Sequence, residues 1–240
     1  MCRPGRPFDP GVSDAAARAV AAAARDAGAP VVTLTPYAWD INSADPALAG
    51  AQQALLGRMI AVAALMGARF VRAYGGREAA AGQDAEDAFT RAVTALQAAG
   101  THAADSGIVI LVENHPGSVT RTGTATRRLV DAVDMAAVRA LYDPANVLHD
   151  TVEDWRTTLE AQRGMIAYVH AKDYFVDPAG KRRACPVGAG IVPWRAILTA
   201  LRASGWDGCL SFEYEKLWHP DELPDAAVGI AAGIAFLREA

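Results

Sequence analysis

The sequence predicts an α/β protein whose parallel strands curl into a structure of the (β/α)8 barrel type. The chain has 240 residues, of which 52% are hydrophobic, enough to bury the core of a single domain spanning residues 1–240. Short runs rich in β-branched and aromatic residues alternate with longer Ala- and Leu-rich segments of helical spacing. Polar side chains gather where these short runs end, which is where parallel α/β proteins build their sites.

Six segments have the composition and length of strands, and the helical segments fall between them. The predicted strands are "VVTLTPY" (31–37), "RFVRAYGG" (69–76), "IVILVENH" (108–115), "VRALYDPAN" (138–146), "IAYVHAKD" (166–173) and "CLSFEYE" (209–215). The predicted helices cover about residues 13–27, 48–66, 84–106, 122–135, 151–163, 193–204 and 222–239. This alternation implies a mainly parallel sheet, either doubly wound or curled into a barrel.

The ends of the predicted strands favour the barrel. Polar residues occur there in strand after strand: Tyr37 and Asp40, Tyr74, Glu113 to His115, Asp143 and Asn146, His170 to Asp173, and Glu213 with Glu215. The carboxyl ends of barrel strands converge on one mouth, whereas an open sheet spreads most of them apart. A barrel therefore explains why so many polar groups recur at equivalent places.

Composition argues against several classes of partner. The net charge is −4 and the pI is about 5.7, with no basic run interleaved with aromatic residues, so no nucleic-acid partner is expected. No apolar run approaches the roughly 20 residues of a membrane-spanning helix, so no membrane partner is expected. Cys2, Cys185 and Cys209 are widely spaced and form no CxxC pair, which favours a reducing, cytoplasmic location.

Four ionisable residues stand out because each ends a separate strand after an apolar lead-in: Glu113, Asp143, His170 and Glu213. Three carboxylates in one mouth of low dielectric are unfavourable unless protons or a cation compensate them. One imidazole among three carboxylates suits one divalent cation, Mn2+ first, with Mg2+, Co2+ or Zn2+ as alternatives. Taken singly, each residue also has a structural explanation, such as a core histidine or an arginine pair. Their recurrence in consecutive strand–helix units favours the metal site.

The motifs "ILVENH", "LYDPAN", "YVHAKD", "VGAGIVPW" and "DGCLSFEYEKLWHP" closely resemble those of the sugar phosphate isomerase/epimerase family, the xylose-isomerase-like TIM barrels. The resemblance runs from about residue 31 to the C-terminus and holds in order and spacing. It implies that one divalent metal is bound by Glu113, Asp143, His170 and Glu213. Glu215 is the fallback for Glu213, because residues two apart on a strand face the same side. The resemblance also implies substrate-contacting or ligand-orienting positions at His115, Asn146 and Lys172.

The loop after the last strand supplies two further candidates for substrate binding. Trp218 and His219 lie in "EKLWHPDELP", either as a lid over the mouth or as packing against the barrel. His149 is open between a substrate contact and a surface histidine. The basic stretch at residues 181–183 is predicted as a solvated charged turn rather than as a site for anions.

The ligand set and the resemblance together imply a reaction. A metal that chelates the carbonyl and adjacent hydroxyl of a sugar acidifies the α C–H by stabilising the enediolate that forms. The resemblance assigns the proton transfers to Glu113 and Glu213, which gives a sugar or sugar phosphate isomerase or epimerase. A metal-dependent dehydratase of the same superfamily, acting on a polyol or dehydroshikimate, and a non-catalytic sugar-binding or partner subunit are the alternatives.

The chain departs from the family pattern at its start. The family normally has a strand, a helix and a second strand before the region that matches here, so the sequence is expected to form a TIM-barrel-like fold that lacks the first two strands. Such a barrel leaves two parallel edges unpaired. A homodimer, or a segment that covers the opening, is therefore expected.

Overall fold

The computed structural model describes residues 11–150 and 152–240. Within this part of the chain the helices are α1 Asp14–Asp26, α2 Pro46–Met66, α3 Ala85–Asp105, α4 Gly123–Val133, α5 Pro144–Asp150, α6 Trp155–Ala161, α7 Trp194–Ala203 and α8 Ala226–Glu239. The strands are β1 Thr33–Leu34, β2 Phe70–Tyr74, β3 Val109–Glu113, β4 Val138–Tyr142, β5 Ile166–Ala171, β6 Asp173–Val176, β7 Arg182–Cys185 and β8 Cys209–Phe212.

Six parallel strands form one curled sheet in the order β1-β2-β3-β4-β5-β8. Helices pack against this sheet, and the result is a half-barrel, a partial TIM barrel. The predicted fold class is thereby confirmed. β6 and β7 form a separate antiparallel hairpin after β5. Because all six strands run the same way, their carboxyl ends meet at one rim.

The ends of the helices follow from the local sequence, as α2 illustrates. This helix begins after Asp45, whose Oδ1 accepts a hydrogen bond from the N–H of Ala47 at 2.9 Å. Pro46 occupies the first position, where a backbone N–H would have had no partner within the helix. The helix ends at Gly67, whose φ of 71° lies in the left-handed region that a residue without a Cβ adopts readily.

The core lies between the sheet and its helices. β2 is buried along its whole length, and β3 and β4 are buried at all but one position each. One apolar cluster joins β1 to β4 with the helices around them, and a second surrounds Tyr142, Trp194 and Ile197 on the side of β5 and α7. Strands that are covered on one face and line the barrel on the other need near-continuous apolar sequences, which these strands have.

One helix in the described residues, α2, is long and apolar enough to cross a membrane by length and composition alone. This corrects the expectation that no apolar run approaches that length. Leu56, Met59, Ile60 and Ala63 of α2 belong to the buried core. A helix that packs on the core of a water-soluble domain passes the same test, so the finding does not by itself indicate a membrane protein.

Several element boundaries differ from the sequence prediction. The strand predicted over residues 138–146 ends at Tyr142, and the short helix α5 follows it. The strand predicted over residues 31–37 is reduced to Thr33–Leu34. The hairpin of β6 and β7 was not predicted, and residues 182 and 183, expected in a solvated turn, belong to β7.

Candidate metal centre

The four predicted metal ligands meet at the mouth of the half-barrel. Glu113 is the last residue of β3, Asp143 directly follows β4, His170 lies in β5 and Glu213 directly follows β8. Each offers one ligand atom, and these atoms lie within 4.8 Å of one another, so one cation could contact all four. Whether they bind a metal stays a prediction.

The alternation of side chains along each strand explains this convergence. Phe70, Leu111, Leu141 and Tyr168 form a buried apolar cluster contributed by β2 to β5. Side chains two residues apart on a strand face the same side. The residues two positions further on are Arg72, Glu113, Asp143 and His170. The mouth therefore has an apolar floor and, one step nearer the carboxyl ends of the strands, a charged layer.

Two buried atoms in this layer fit a site for a cation. Asp143 Oδ2 and His170 Nδ1 are buried, and neither makes a hydrogen bond. His170 Nδ1 lies 3.4 Å from Glu113 Oε1 and 3.7 Å from Glu213 Oε2. Lys172 Nζ lies 3.1 Å from Asp143 Oδ2, an ion-pair contact without hydrogen-bond geometry. Buried polar atoms normally have partners, and a metal ion would supply one for both.

The electrostatics of the set reflect crowded negative charge. Burial raises the pKa of Asp143 to about 6, although Lys172 lowers it, and Glu213 and Glu113 add to the rise. Burial also acts to raise the pKa of Glu113, but Arg72 and His170 outweigh it and hold that pKa well below the usual range. Burial lowers the pKa of His170, yet the carboxylates around it, Glu213 first, raise it overall. A divalent cation would stabilise the charged forms of all three carboxylates.

Two basic side chains contact the ligand candidates, and both lie within 4 Å of Glu213. Lys172 Nζ donates a hydrogen bond to Glu213 Oε2 at 2.6 Å. Arg72 Nη1 donates to Glu113 Oε2 at 2.9 Å, and both side chains of that pair are almost fully buried. Lys172 was predicted from the sequence, but Arg72 was missed. Its position two residues before Tyr74, in a strand with a polar end, was the available signal.

The predicted substrate-binding residues are brought together in part. His115, Asn146, Lys172 and His219 line one cavity of about 380 Å³ beside the ligand candidates. Asn146 Nδ2 also donates to Glu113 Oε1 at 3.2 Å, so this residue orients a ligand candidate. Trp218 is 43% exposed and is not among the residues that line the cavity.

The structure bears on three questions that the sequence left open: whether Glu213 or Glu215 joins the ligand candidates, where His149 lies, and where Arg182 lies. Glu213, rather than Glu215, joins the ligand cluster, and Glu215 Oε1 lies 3.8 Å from Lys172 Nζ. Since β8 ends at Phe212, the alternation that made Glu215 a fallback does not extend to it. His149 lines the cavity, and so does Arg182, which the sequence prediction had left in a solvated turn.

An aromatic wall borders the mouth on the side of β1 and β2. The rings of Trp39 and Tyr74 are stacked with centroids 3.6 Å apart. The ring of His115 meets both edge-on, at 4.9 Å from Trp39 and 5.2 Å from Tyr74. Trp39 was not predicted as a site residue. Flat aromatic surface of this kind offers contact area to apolar faces of a ligand.

Asp173 holds the loop before α7 in place, although it directly follows Lys172 of the predicted site. Its Oδ2 accepts hydrogen bonds from the N–H groups of Gly188 and Gly190 at 3.0 and 3.2 Å. Its Oδ1 accepts from Val192 N–H at 3.0 Å. A Cβ at Gly190 would collide with this carboxylate. Asp173 therefore fixes the loop before α7 and does not join the ligand candidates.

A groove of about 390 Å³ lies at the opposite end of the sheet, where β4 and β5 begin. Three arginines line it, but each is already engaged. Arg127 pairs with Asp131, Arg163 pairs with Glu160, and Arg139 donates to the carbonyl of Gly164. The arginines of this groove are therefore already paired, and the mouth of the half-barrel is the better candidate for a functional site.

A partial (β/α) barrel whose strand ends gather three carboxylates and a histidine defines a class: an α/β-barrel protein with a candidate divalent-metal centre. Residues 1–240 match the model of the family described as xylose isomerase-like TIM barrel, and the chain belongs to that family.

The chain is similar to enzymes that act on sugars and related polyols. It is 26% identical over 145 residues to an inosose dehydratase of Geobacillus thermodenitrificans (strain NG80-2), a match that covers 55% of this chain and 48% of that protein. The chain thus spans about half the length of the curated relatives it matches.

Two solved structures illustrate the likeness of fold. A 3-keto-D-glucoside 4-epimerase from E. coli superposes with a TM-score of 0.76 at 18% identity, covering 95% of this chain and 86% of that one. A probable 3-DHS dehydratase from Bacillus anthracis superposes with a TM-score of 0.73 at 17% identity, covering 92% and 81%. At these identities the likeness shows the fold alone.

Proposed function

We propose that the chain is a divalent-metal-dependent isomerase or epimerase of a sugar or sugar phosphate that works through an enediolate. The observation that carries this proposal is the convergence of Glu113, Asp143, His170 and Glu213, with Asp143 Oδ2 and His170 Nδ1 buried and without hydrogen bonds. Membership of the xylose isomerase-like family and the epimerase neighbours support it.

The donor set suits one divalent ion. Three carboxylates and one imidazole would hold Mn2+ best, with Mg2+, Co2+ or Zn2+ as alternatives. When bound, the ion supplies Lewis acidity that stabilises negative charge on neighbouring oxygens of the substrate. Asn146 orients Glu113 and Lys172 orients Glu213, so the ligand candidates are held in place by residues of the chain itself.

In this proposal Glu113 and Glu213 transfer the proton. One of them removes the proton from the carbon next to the substrate carbonyl, which leaves an enediolate, and the other returns a proton. Lys172 and His170 lower the pKa of Glu213 in spite of its burial, so this carboxylate is ionised and able to accept a proton. His115, Asn146 and Lys172 contact the substrate, and Trp218 and His219 lie on the loop beside it.

A dehydratase is the second candidate, because the curated relatives are inosose dehydratases and one structural neighbour is a probable 3-DHS dehydratase. Proton removal next to a carbonyl begins both reactions. A dehydratase then expels a β-hydroxyl group as water, whereas an epimerase or isomerase returns the proton to carbon. The fate of the substrate separates the two candidates.

The remaining parts of the proposal concern the setting of the protein. We place it in the cytoplasm as a single domain, acting on a small molecule and not on nucleic acid or at a membrane. We expect a homodimer, because β1 and β8 each pair with one neighbour in the described residues. A subunit that binds sugar or a partner without turnover is the non-catalytic alternative.

The test is a substrate panel in D2O with Mn2+, followed by proton NMR. Ketoses, their phosphates, an inosose and dehydroshikimate are incubated with the wild type and with Glu113→Gln, Glu213→Gln and Glu160→Gln. An epimerase incorporates solvent deuterium next to the carbonyl and forms an epimer, and a dehydratase forms an unsaturated product. Glu160→Gln is the matched control and retains activity, because Glu160 is exposed on α6 and pairs with Arg163, away from the cavity. The other two variants lose activity. Full activity in Glu113→Gln and Glu213→Gln would contradict the proposal.

A further inference from the structure

Arg72 is an arginine in the middle of a fully buried parallel strand. It lies in β2, and only 1% of its surface is exposed. Burying a guanidinium is unfavourable unless its donors are paired, so its contacts are informative. Nη2 donates to the carbonyls of Pro36 and Thr35 at 3.0 and 3.4 Å, and the ring of Tyr74 lies 4.3 Å from the guanidinium carbon.

Two contacts of Arg72 reach the ligand candidates. Nη1 lies 3.9 Å from Glu213 Oε1, an ion pair without a hydrogen bond, whereas its side-chain hydrogen bond goes to Glu113. Nη1 donates to Glu113 Oε2 at 2.9 Å. Two backbone carbonyls and the ring of Tyr74 hold the rest of the guanidinium, so Arg72 in turn restrains the carboxylate. Glu113 Oε1 is left facing His170 Nδ1 at 3.4 Å, with Asn146 Nδ2 at 3.2 Å.

We propose that Arg72 is a positioning residue that makes Glu113 a one-oxygen ligand and thereby sets which divalent cations the centre accepts. This inference rests on the metal-binding function proposed above and adds a residue that lies outside the sequence motifs. Because Oε2 is oriented toward Arg72, Oε1 is the oxygen that faces the other ligand candidates.

The class of cation follows from the number of oxygens. Ca2+ takes six to eight oxygen ligands and commonly uses both oxygens of a carboxylate, whereas smaller ions with octahedral geometry use single oxygens. A Glu113 that cannot turn its second oxygen inward therefore disfavours Ca2+ relative to Mn2+. Arg72 also places a positive charge beside the centre, which weakens the binding of all divalent ions alike.

These two effects can be separated by two variants. Arg72→Met removes both the charge and the hydrogen bonds. Arg72→Lys keeps the charge, but an ammonium group lacks the planar fork that joins Glu113 to two carbonyls. Arg77→Met is the control, because Arg77 follows the same strand and pairs with Asp40, outside the ligand candidates. Calorimetry on chelator-stripped protein gives Kd for Mn2+ and for Ca2+, and circular dichroism checks the fold of each protein.

The quantity that decides is the ratio of the Ca2+ Kd to the Mn2+ Kd. We expect this ratio to fall by about tenfold in Arg72→Met and also to fall in Arg72→Lys, while Arg77→Met keeps the wild-type ratio. A residue that only balances charge would leave the ratio unchanged, with both ions bound more tightly by Arg72→Met, and that result overturns the inference.

The failure of the metal site itself gives a different result. Folded wild-type protein that binds neither ion would contradict the proposed function and this inference together. If Arg72→Met does not fold, the ratio in Arg72→Lys decides alone, since that variant retains the charge opposite Glu113. An unchanged ratio there overturns the positioning role while the metal site stands.

Discussion

The central strands and the last edge strand of the half-barrel present the same kind of carboxylate in different surroundings. Glu113, on β3, has a fully buried side chain, and its two oxygens contact Arg72 and Asn146. Glu213, after β8, has a side chain that is 25% exposed, and β8 itself is only partly buried. Glu113 is therefore held by a direct hydrogen bond from a buried arginine, whereas Glu213 accepts its hydrogen bond from Lys172 and meets Arg72 only at 3.9 Å.

Because their surroundings differ, the two glutamates are expected to contribute differently to stability and to the site. A fully buried carboxylate with an arginine partner contributes to stability as well as to the site, because removing it leaves a buried charge unpaired. A partly exposed carboxylate at an edge can be changed with less damage to the fold. The four predictions below test this contrast, beginning with the largest expected effect.

The first prediction concerns Glu113, the fully buried carboxylate. Glu113→Ala should lower the free energy of unfolding by about 3–5 kcal/mol, because Arg72 then remains buried without its carboxylate. Mn2+ binding should be lost as well. Denaturant unfolding and calorimetry measure the two effects. Glu113→Gln is the comparison, since its amide oxygen can still accept from Arg72 but carries no charge, so it should recover only part of the stability. A loss below about 1 kcal/mol in the alanine variant would contradict the role given to this pair.

The second prediction concerns Glu213, the partly exposed carboxylate that follows the edge strand β8. Glu213→Gln should weaken Mn2+ binding by about tenfold or more but change the free energy of unfolding by only about 1 kcal/mol, since the group is partly exposed. The same two measurements apply, with Glu160→Gln, at an exposed glutamate of α6, as the control that leaves both quantities near the wild type. The contrast between the two sides would be wrong if Glu213→Gln were as destabilising as Glu113→Ala.

The third prediction addresses how α8 seals the edge strand. Gly233 of α8 lies against the ring of Phe212 in β8, and a Cβ there would overlap that ring. Gly233→Ala should therefore destabilise the protein by about 1–3 kcal/mol through overpacking. Gly50→Ala is the matched control, because Gly50 is a helix residue of α2 with open space around it. That variant should gain about 0.5–1 kcal/mol. Thermal unfolding of both variants checks the pair, and equal effects would contradict the close packing of α8.

The ligand candidates could be predicted because their signal is local. Each of Glu113, Asp143, His170 and Glu213 follows an apolar run in its own strand, and parallel strands bring such ends together. Arg72 has the same local pattern, two residues beyond Phe70 of the apolar floor. Its partner, however, lies 41 residues away in sequence, so nothing near Arg72 marks it as paired.

The hairpin and α5 escaped prediction for a different physical reason. β6 and β7 have four residues each, and their sequences "DYFV" and "RRAC" carry no clear alternation. They are fixed by pairing with each other and by Asp173. α5 begins where Asp143 Oδ1 accepts from Asn146 N–H at 3.0 Å, a contact that turns the expected strand extension into a helix. Strand pairing decides the hairpin, whereas α5 starts at a local cap formed by Asp143 and at Pro144 in its first position, a signal that the sequence prediction passed over.

The last prediction concerns Glu222, which lies in the loop between β8 and α8 and contacts the hairpin of β6 and β7. Glu222 accepts a hydrogen bond from Ala184 N–H at 2.7 Å and pairs with Arg183 at 3.0 Å. The hydrogen bond from Ala184 and the charge of Arg183 lower the pKa of Glu222. A carboxylate whose folded-state pKa is depressed stabilises the fold above its unfolded pKa of about 4.3 and loses that contribution as the pH falls through the folded value.

Acid should therefore loosen this contact below about pH 4, the smallest of the four effects. The measurement compares the thermal unfolding of wild type and Glu222→Gln from pH 7 to pH 3, because the amide keeps the shape of the side chain without its charge. We expect the wild type to be more stable at neutral pH and the difference to shrink as the pH falls. Parallel pH profiles would mean that the charge of Glu222 contributes nothing to stability, and that the loop is held against the hairpin by packing and by the hydrogen bond from Ala184.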